Sequence, residues 1–129
     1  MYKILIILGF FLFSCSDAEN RSKVEEKKKS VMEIHDIAMD KMGDMVKLKS
    51  KLKSKLDTDS SNTDELKKVI LDLEEADKLM WDWMHNYHSE IVDTSKIENA
   101  IFYLDEQYKS VKIVEEKINE TIKNGEALL

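Results

Sequence analysis

The sequence predicts an all-α fold: an up-down-up antiparallel three-helix bundle with coiled-coil-like packing. Three observations predict it. The chain of 129 residues has no proline and three glycines, so little interrupts long helices. Apolar residues recur every three or four positions along three stretches. The strict apolar–polar alternation of a strand is not sustained anywhere. By length the chain is one domain.

Helix 1 is expected over about 24–56. Val31, Ile34, Ala38, Met42, Met45, Leu48, Leu52 and Leu56 fall on one face. Gly43 lies inside and costs about 1 kcal/mol against alanine. The apolar phase is unchanged across it, so one long helix is expected, at most bent there. DTDSSNT, residues 57–63, is short, polar and rich in turn formers. Asn62 with Glu65 three residues on suits a helix start.

Helix 2, about 64–88, carries Leu66, Val69, Leu73, Ala76, Met80, Trp83 and Tyr87 on its apolar face. A second loop is expected near 89–94. Ser95 and Glu98 match the S-x-x-E capping box of a third helix, about 95–124. That helix carries Ile97, Ile101, Leu104, Tyr108, Val111, Val114, Ile118 and Ile122. Asn124-Gly125 is expected to stop it, because glycine accepts the left-handed cap conformation. Short loops make consecutive helices antiparallel. The same periodic runs are compatible with a homo-oligomer, and a dimer forming a larger bundle is the alternative architecture.

The first residues have a different character. MYKILIILGFFLFSC has a basic Lys3 and then an apolar run from Ile4 to Phe13. Ten helical residues span about 15 Å, half of a bilayer core of about 30 Å. A short apolar run behind a positive charge reads as a secretory signal. It ends in Leu12-Phe13-Ser14-Cys15, which resembles the lipobox of bacterial lipoproteins. The resemblance implies cleavage after Ser14 and lipidation of Cys15, the only cysteine. The organisation is then a signal peptide at 1–14, a lipidated cysteine with a flexible polar tether at 15–22, and the bundle at 23–129. Several acyl chains on one residue give stable membrane anchoring. The acidic start Ser16-Asp17-Ala18-Glu19 resembles a short signal that sends some Bacteroidota lipoproteins to the cell surface. An outer-membrane lipoprotein facing the periplasm is the alternative.

The formal charge is −6, and Arg21 is the single arginine. Such a chain is a poor nucleic-acid binder, so no nucleic-acid partner is expected. Its lysines are interleaved with glutamates, as on a solvated helix face.

Of seven methionines, all but the first lie in two windows, MEIHDIAMDKMGDM at 32–45 and MWDWMHNYH at 80–88. Folding helix 1 back on helix 2 near residue 60 puts residues whose numbers sum to about 120 side by side. Met39 is then level with Trp81, His35 with His85, and Met32 with His88. On the helical wheel Met42, Met80 and Met84 point inward, His35, Trp81 and His88 lie near the edge, and His85 points away. His35, Met39, Met84 and His88 therefore form a candidate metal site on the seam. Thioether and imidazole ligands suit Cu(I). In ligand types alone the set resembles the Met/His/Trp sites of periplasmic copper chaperones. A haem held by one His and one Met is a further alternative, without a C-x-x-C-H for covalent attachment. Against these stands core packing, since methionine fills irregular gaps and packs on aromatic rings.

No catalytic signature appears: no phosphate loop, nucleophile elbow, H-E-x-x-H or second thiol. An enzyme is not expected, and no cofactor is expected unless the His/Met cluster binds metal.

The windows HDIAMDKMGDM and LEEADKLMWDWMHNY, with the lipobox, resemble a group of small Bacteroidota lipoproteins of uncharacterised function. That group often carries the label "viral A-type inclusion protein". The resemblance covers the lipobox and most of the first two helices, and the third matches only as a generic amphipathic helix. It implies a bacterial envelope lipoprotein and supplies no catalytic residue. The expected function is a lipid-anchored, non-enzymatic helical binding or scaffold module with an unknown protein partner. The alternative is a lipoprotein that binds a soft metal.

Overall fold

A computed structural model describes residues 14–59 and 61–129. The expected signal segment up to Phe13 lies outside the described residues, and the Cys15 side chain with it. All described elements are helical. They are α1 (Ser14–Thr58), α2 (Thr63–Asn86), α3 (Ser89–Thr94) and α4 (Ile97–Glu126). The three long helices form the up-down-up bundle, and α3 is a short turn packed on α4. Among the described residues no helix is long and apolar enough to cross a membrane.

The core follows a seven-residue repeat. Val24, Val31, Ala38, Met45 and Leu52 of α1 are buried, as are Leu66, Leu73 and Met80 of α2. Leu104, Val111 and Ile118 do the same on α4. A repeat of seven keeps one seam facing its neighbours and imposes a left-handed supercoil. Burial of these stripes, rather than helix propensity, holds the bundle together.

The first and last long helices run parallel, although no loop joins them directly. Lysines fourteen residues apart on α1 fix their register. Lys27 donates to Asp105, 78 residues on, and Lys41 to Asn119, also 78 residues on. Lys55 donates to the Leu128 carbonyl at 2.7 Å. Near the middle of this seam Glu115 is 6% exposed. Its carboxylate accepts from Lys112 at 2.9 Å and from Asn119, with Lys41 at 3.6 Å. These bonds, Lys112 first, hold its pKa below the usual carboxylate value against the opposing effect of burial.

Four local expectations are corrected. Residues 15–22, expected to form a flexible tether, are helical and continue into α1. They contain no helix breaker, and Glu19 pairs with Lys23 one turn on at 2.8 Å. Residues 89–94, expected as a loop, form α3, because burying Val92 orders them. That helix ends with Ser95 as its C-cap, so Ser95 cannot cap α4, whose N-cap is Lys96 with no side-chain bond. The capping box is therefore not made.

Gly125 is not a left-handed stop either. No described glycine has positive φ, and α4 continues to Glu126. Gly125 is buried at a close crossing: a Cβ there would lie 2.7 Å from Leu48 Cδ2 and 3.3 Å from Leu52 Cδ1. The 57–63 connection does turn as expected. Asn62 takes the N-cap position of α2, but its side chain makes no capping bond. Asp59 orders the turn instead, accepting from the Ser61 N–H at 2.9 Å and hydroxyl at 2.6 Å.

Candidate functional site at the α1–α2 seam

The two methionine windows meet where α1 and α2 run antiparallel. The His35 ring packs on Trp83 with centroids 5.6 Å apart. Farther along, Lys49 and Lys53 both reach Glu74, at 3.7 and 3.1 Å. These pairs set the levels close to those read from the folded-back chain.

The methionines divide into two groups. Met42, Met45 and Met80 are core residues at 8%, 3% and 0% exposure. Met32, Met39 and Met84 are half-buried, the last two packed against the core edge. Trp83 is buried, whereas Trp81, two residues earlier, is 54% exposed. A helix turns about 200° over two residues, which separates the two indoles. His85 is exposed, as its wheel position requires.

From His35 a ladder of rings runs toward the α3 end. Trp83 meets Tyr87 at 5.2 Å, and Tyr87 meets Tyr103 of α4 at 6.1 Å, all tilted. Such offset pairs add to burial through the ring quadrupoles. Trp83 Nε1 and the Tyr87 hydroxyl are buried without a hydrogen-bond partner among the described residues. Burial pushes the Tyr87 pKa up, with smaller contributions from Tyr103 and Asp93. The Tyr103 hydroxyl accepts the His88 backbone N–H at 2.7 Å.

The four candidate ligands have different fates. His35, Met39 and Met84 stand on the α1–α2 seam. His88 does not continue α2. The helix ends at Asn86, Tyr87 and His88 take extended backbone, and His88 becomes the N-cap of α3. Its Nδ1 lies 3.0 Å from Glu90 Oε1. His35 Nδ1 lies 2.9 Å from Asp36 Oδ1. Both rings are thus oriented by a neighbouring carboxylate, which leaves Nε2 of each as the free ligating atom when Nδ1 carries the proton. Among the described residues no three His, Cys, Asp or Glu side chains converge as a metal cluster.

The start of the third long helix, expected to arrive at this end with Glu98, Phe102 and Tyr103, does bring Tyr103 to the seam from α4. Sequence reasoning missed Glu115, which reads in sequence as a solvated charge. The signal for Glu115 was the placing of Lys27, Lys41 and Lys55 at core-flanking positions of alternate heptads. Lysines there need acceptors on a facing helix.

No family model, no curated protein and no solved structure matches the chain.

Proposed function

We propose that this chain is a bacterial envelope lipoprotein: a non-enzymatic helical binding or scaffold module held by lipid on Cys15 in the outer membrane, facing the periplasm or the cell surface. One observation carries the reading. The helix, described from Ser14 within the lipobox-like Leu12-Phe13-Ser14-Cys15, runs unbroken into the bundle, and its residues 16–23 are almost all polar and mostly exposed. An anchor on Cys15 would therefore join the bundle through a polar helical segment. The resemblance to small Bacteroidota lipoproteins supports the same reading. The test is intact mass measurement of protein extracted from its own membranes. The expected species begins at Cys15 and carries a diacylglyceryl group and an acyl chain, and Cys15→Ala releases the protein from the membrane. A full-length species with an unmodified thiol would overturn the anchor, and turnover of a substrate or a stoichiometric bound cofactor would overturn the non-enzymatic role.

A second reading has its own observation: the carboxylate-oriented rings of His35 and His88. With Met39 and Met84 they offer two imidazoles and two thioethers, a donor set suited to Cu(I). Because His88 lies beyond the end of α2, such a site would join the α2–α3 turn to the seam. Anaerobic titration of Cu(I) against a competing chelator decides it. Undiminished affinity in a His35→Ala, His88→Ala double variant rejects these ligands.

A further inference from the structure

We infer that the outer side of the α1–α2 seam docks a basic amphipathic helix of another protein, an inference that rests on the binding-module reading and names its partner class. The seam changes character along its length. Lys53 of α1 meets Glu74 of α2 at 3.1 Å. One heptad toward the α3 end, the equivalent positions hold Val46 and Trp81. They are 59% and 54% exposed, where the preceding rung is an ion pair. Beside them lie the half-buried Met39 and Met84, packed on the core edge. α1 also packs more closely on α4 than on α2, so this side of the bundle is the less tightly closed.

The composition is that of a contact surface. Tryptophan and methionine are enriched where proteins bind, and a central tryptophan commonly dominates the binding energy. Methionine is unbranched and polarizable, so it fits irregular partner surfaces. Leu71, Phe102 and Ile113 are exposed elsewhere, but an apolar strip with a polar rim marks an interaction site.

The rim identifies the occupant. Asp40 adjoins Met39, and Asp77 stands one turn before Trp81. Neither carboxylate has a partner among the described residues. Neighbouring carboxylates do: Asp36 faces His35 and Asp82 faces Lys78. The adjoining rung holds Lys49 and Lys53 on one Glu74, but beside the apolar strip itself two carboxylates outside any ion pair attract a helix with apolar anchors at i, i+3 or i+4, and i+7, and lysine or arginine on its flanks. The same charges repel an anionic membrane surface. A second copy of this chain, with a formal charge of −6, is the wrong sign overall.

The test uses the full chain in phosphatidylcholine nanodiscs, with empty nanodiscs as the blank. The probes are two fluorescein-labelled 18-residue peptides of one apolar pattern, one with lysine and one with glutamate on the polar face. Fluorescence anisotropy is expected to give saturable one-to-one binding of the lysine peptide alone. Trp81→Ala should weaken it about tenfold, and Asp40→Asn with Asp77→Asn roughly fivefold, with a flatter salt dependence. Circular dichroism checks that these exposed substitutions leave the helices intact, and Val46→Asp serves as a second variant. Equal binding of both peptides, no binding, or binding indifferent to Trp81→Ala and Val46→Asp overturns the inference. So does a concentration-dependent dimer that Trp81→Ala dissolves, which would give the seam to a second copy. The mass of Cys15 reads the anchor separately: a lipidated chain that ignores the lysine peptide sinks the docking surface alone.

Discussion

Alanine at the two described glycines of the bundle should move stability in opposite directions. Gly43 and Gly125 both lie inside helices, so propensity alone favours alanine at each by about 1 kcal/mol. At Gly43 nothing lies within 4 Å of a new Cβ, and the gain is realised. At Gly125 the Cβ would meet Leu48 Cδ2 at 2.7 Å, Leu48 Cγ at 3.2 Å and Leu52 Cδ1 at 3.3 Å. Leu48 must turn away, and the fully buried Leu52 has little room to follow. Overpacking of this kind costs about 1–3 kcal/mol. The propensity gain is also smaller in the last helical turn, so the net effect is a loss of about 1–2 kcal/mol. For a domain of this size, 1 kcal/mol shifts Tm by about 4 °C. Thermal unfolding followed at 222 nm should therefore show Gly43→Ala melting about 4 °C higher and Gly125→Ala about 4–8 °C lower. Adding Leu48→Val to Gly125→Ala should recover part of the loss, giving less than the sum of the single effects. A Gly125→Ala protein at or above the parent Tm would refute the close crossing of α1 and α4.

Other expectations follow from the same contacts. The Glu115 carboxylate titrates below its unfolded value, so its contribution is complete above about pH 5 and is lost as pH falls below that range through the folded value. Glu115→Gln should flatten the stability–pH curve across that window, measured by urea unfolding, and an unchanged slope would assign the acid sensitivity elsewhere. Tyr103→Phe removes the acceptor of the His88 N–H and should cost about 1 kcal/mol. Tyr87→Phe removes a buried hydroxyl with no partner among the described residues and should be neutral or stabilising by chemical denaturation. Hydrogen exchange should be fast at residues 16–19, which are exposed, and slow from Val24 onward.

The fold class was legible because its cause is local. Val31, Ala38, Met45 and Leu52 announce a heptad stripe, and no proline contradicts it. The two tryptophans were legible too: two residues apart, they had to point differently, and Trp83 went inside. The break after Asn86 was not legible, since Tyr87 and His88 carry no turn chemistry. What ends α2 there is tertiary, with Val92 buried against the bundle and Tyr103 holding the His88 N–H. Gly125 misled because a terminal glycine is more often a cap than a crossing point, and only the approach of Leu48 distinguishes the two. Glu115 stayed hidden because its hydrogen-bond partners Lys112 and Asn119 look like ordinary pairs along one helix, and only the packing of α1, far away in sequence, buries it and brings Lys41 to 3.6 Å.

The parallel pairing of α1 with α4 imposes an order in time. α1 buries its stripe chiefly against the helix made last, with register bonds between residues 78 apart. A nascent chain that has completed α1 and α2 can form only the smaller of α1's two contacts. Its heptad stripe then stays open to solvent, and to other unfinished chains, until α4 arrives. Closing contacts across that separation is slow for a helical protein. A chain that ends before α4 should therefore aggregate or be degraded rather than persist as a helical hairpin.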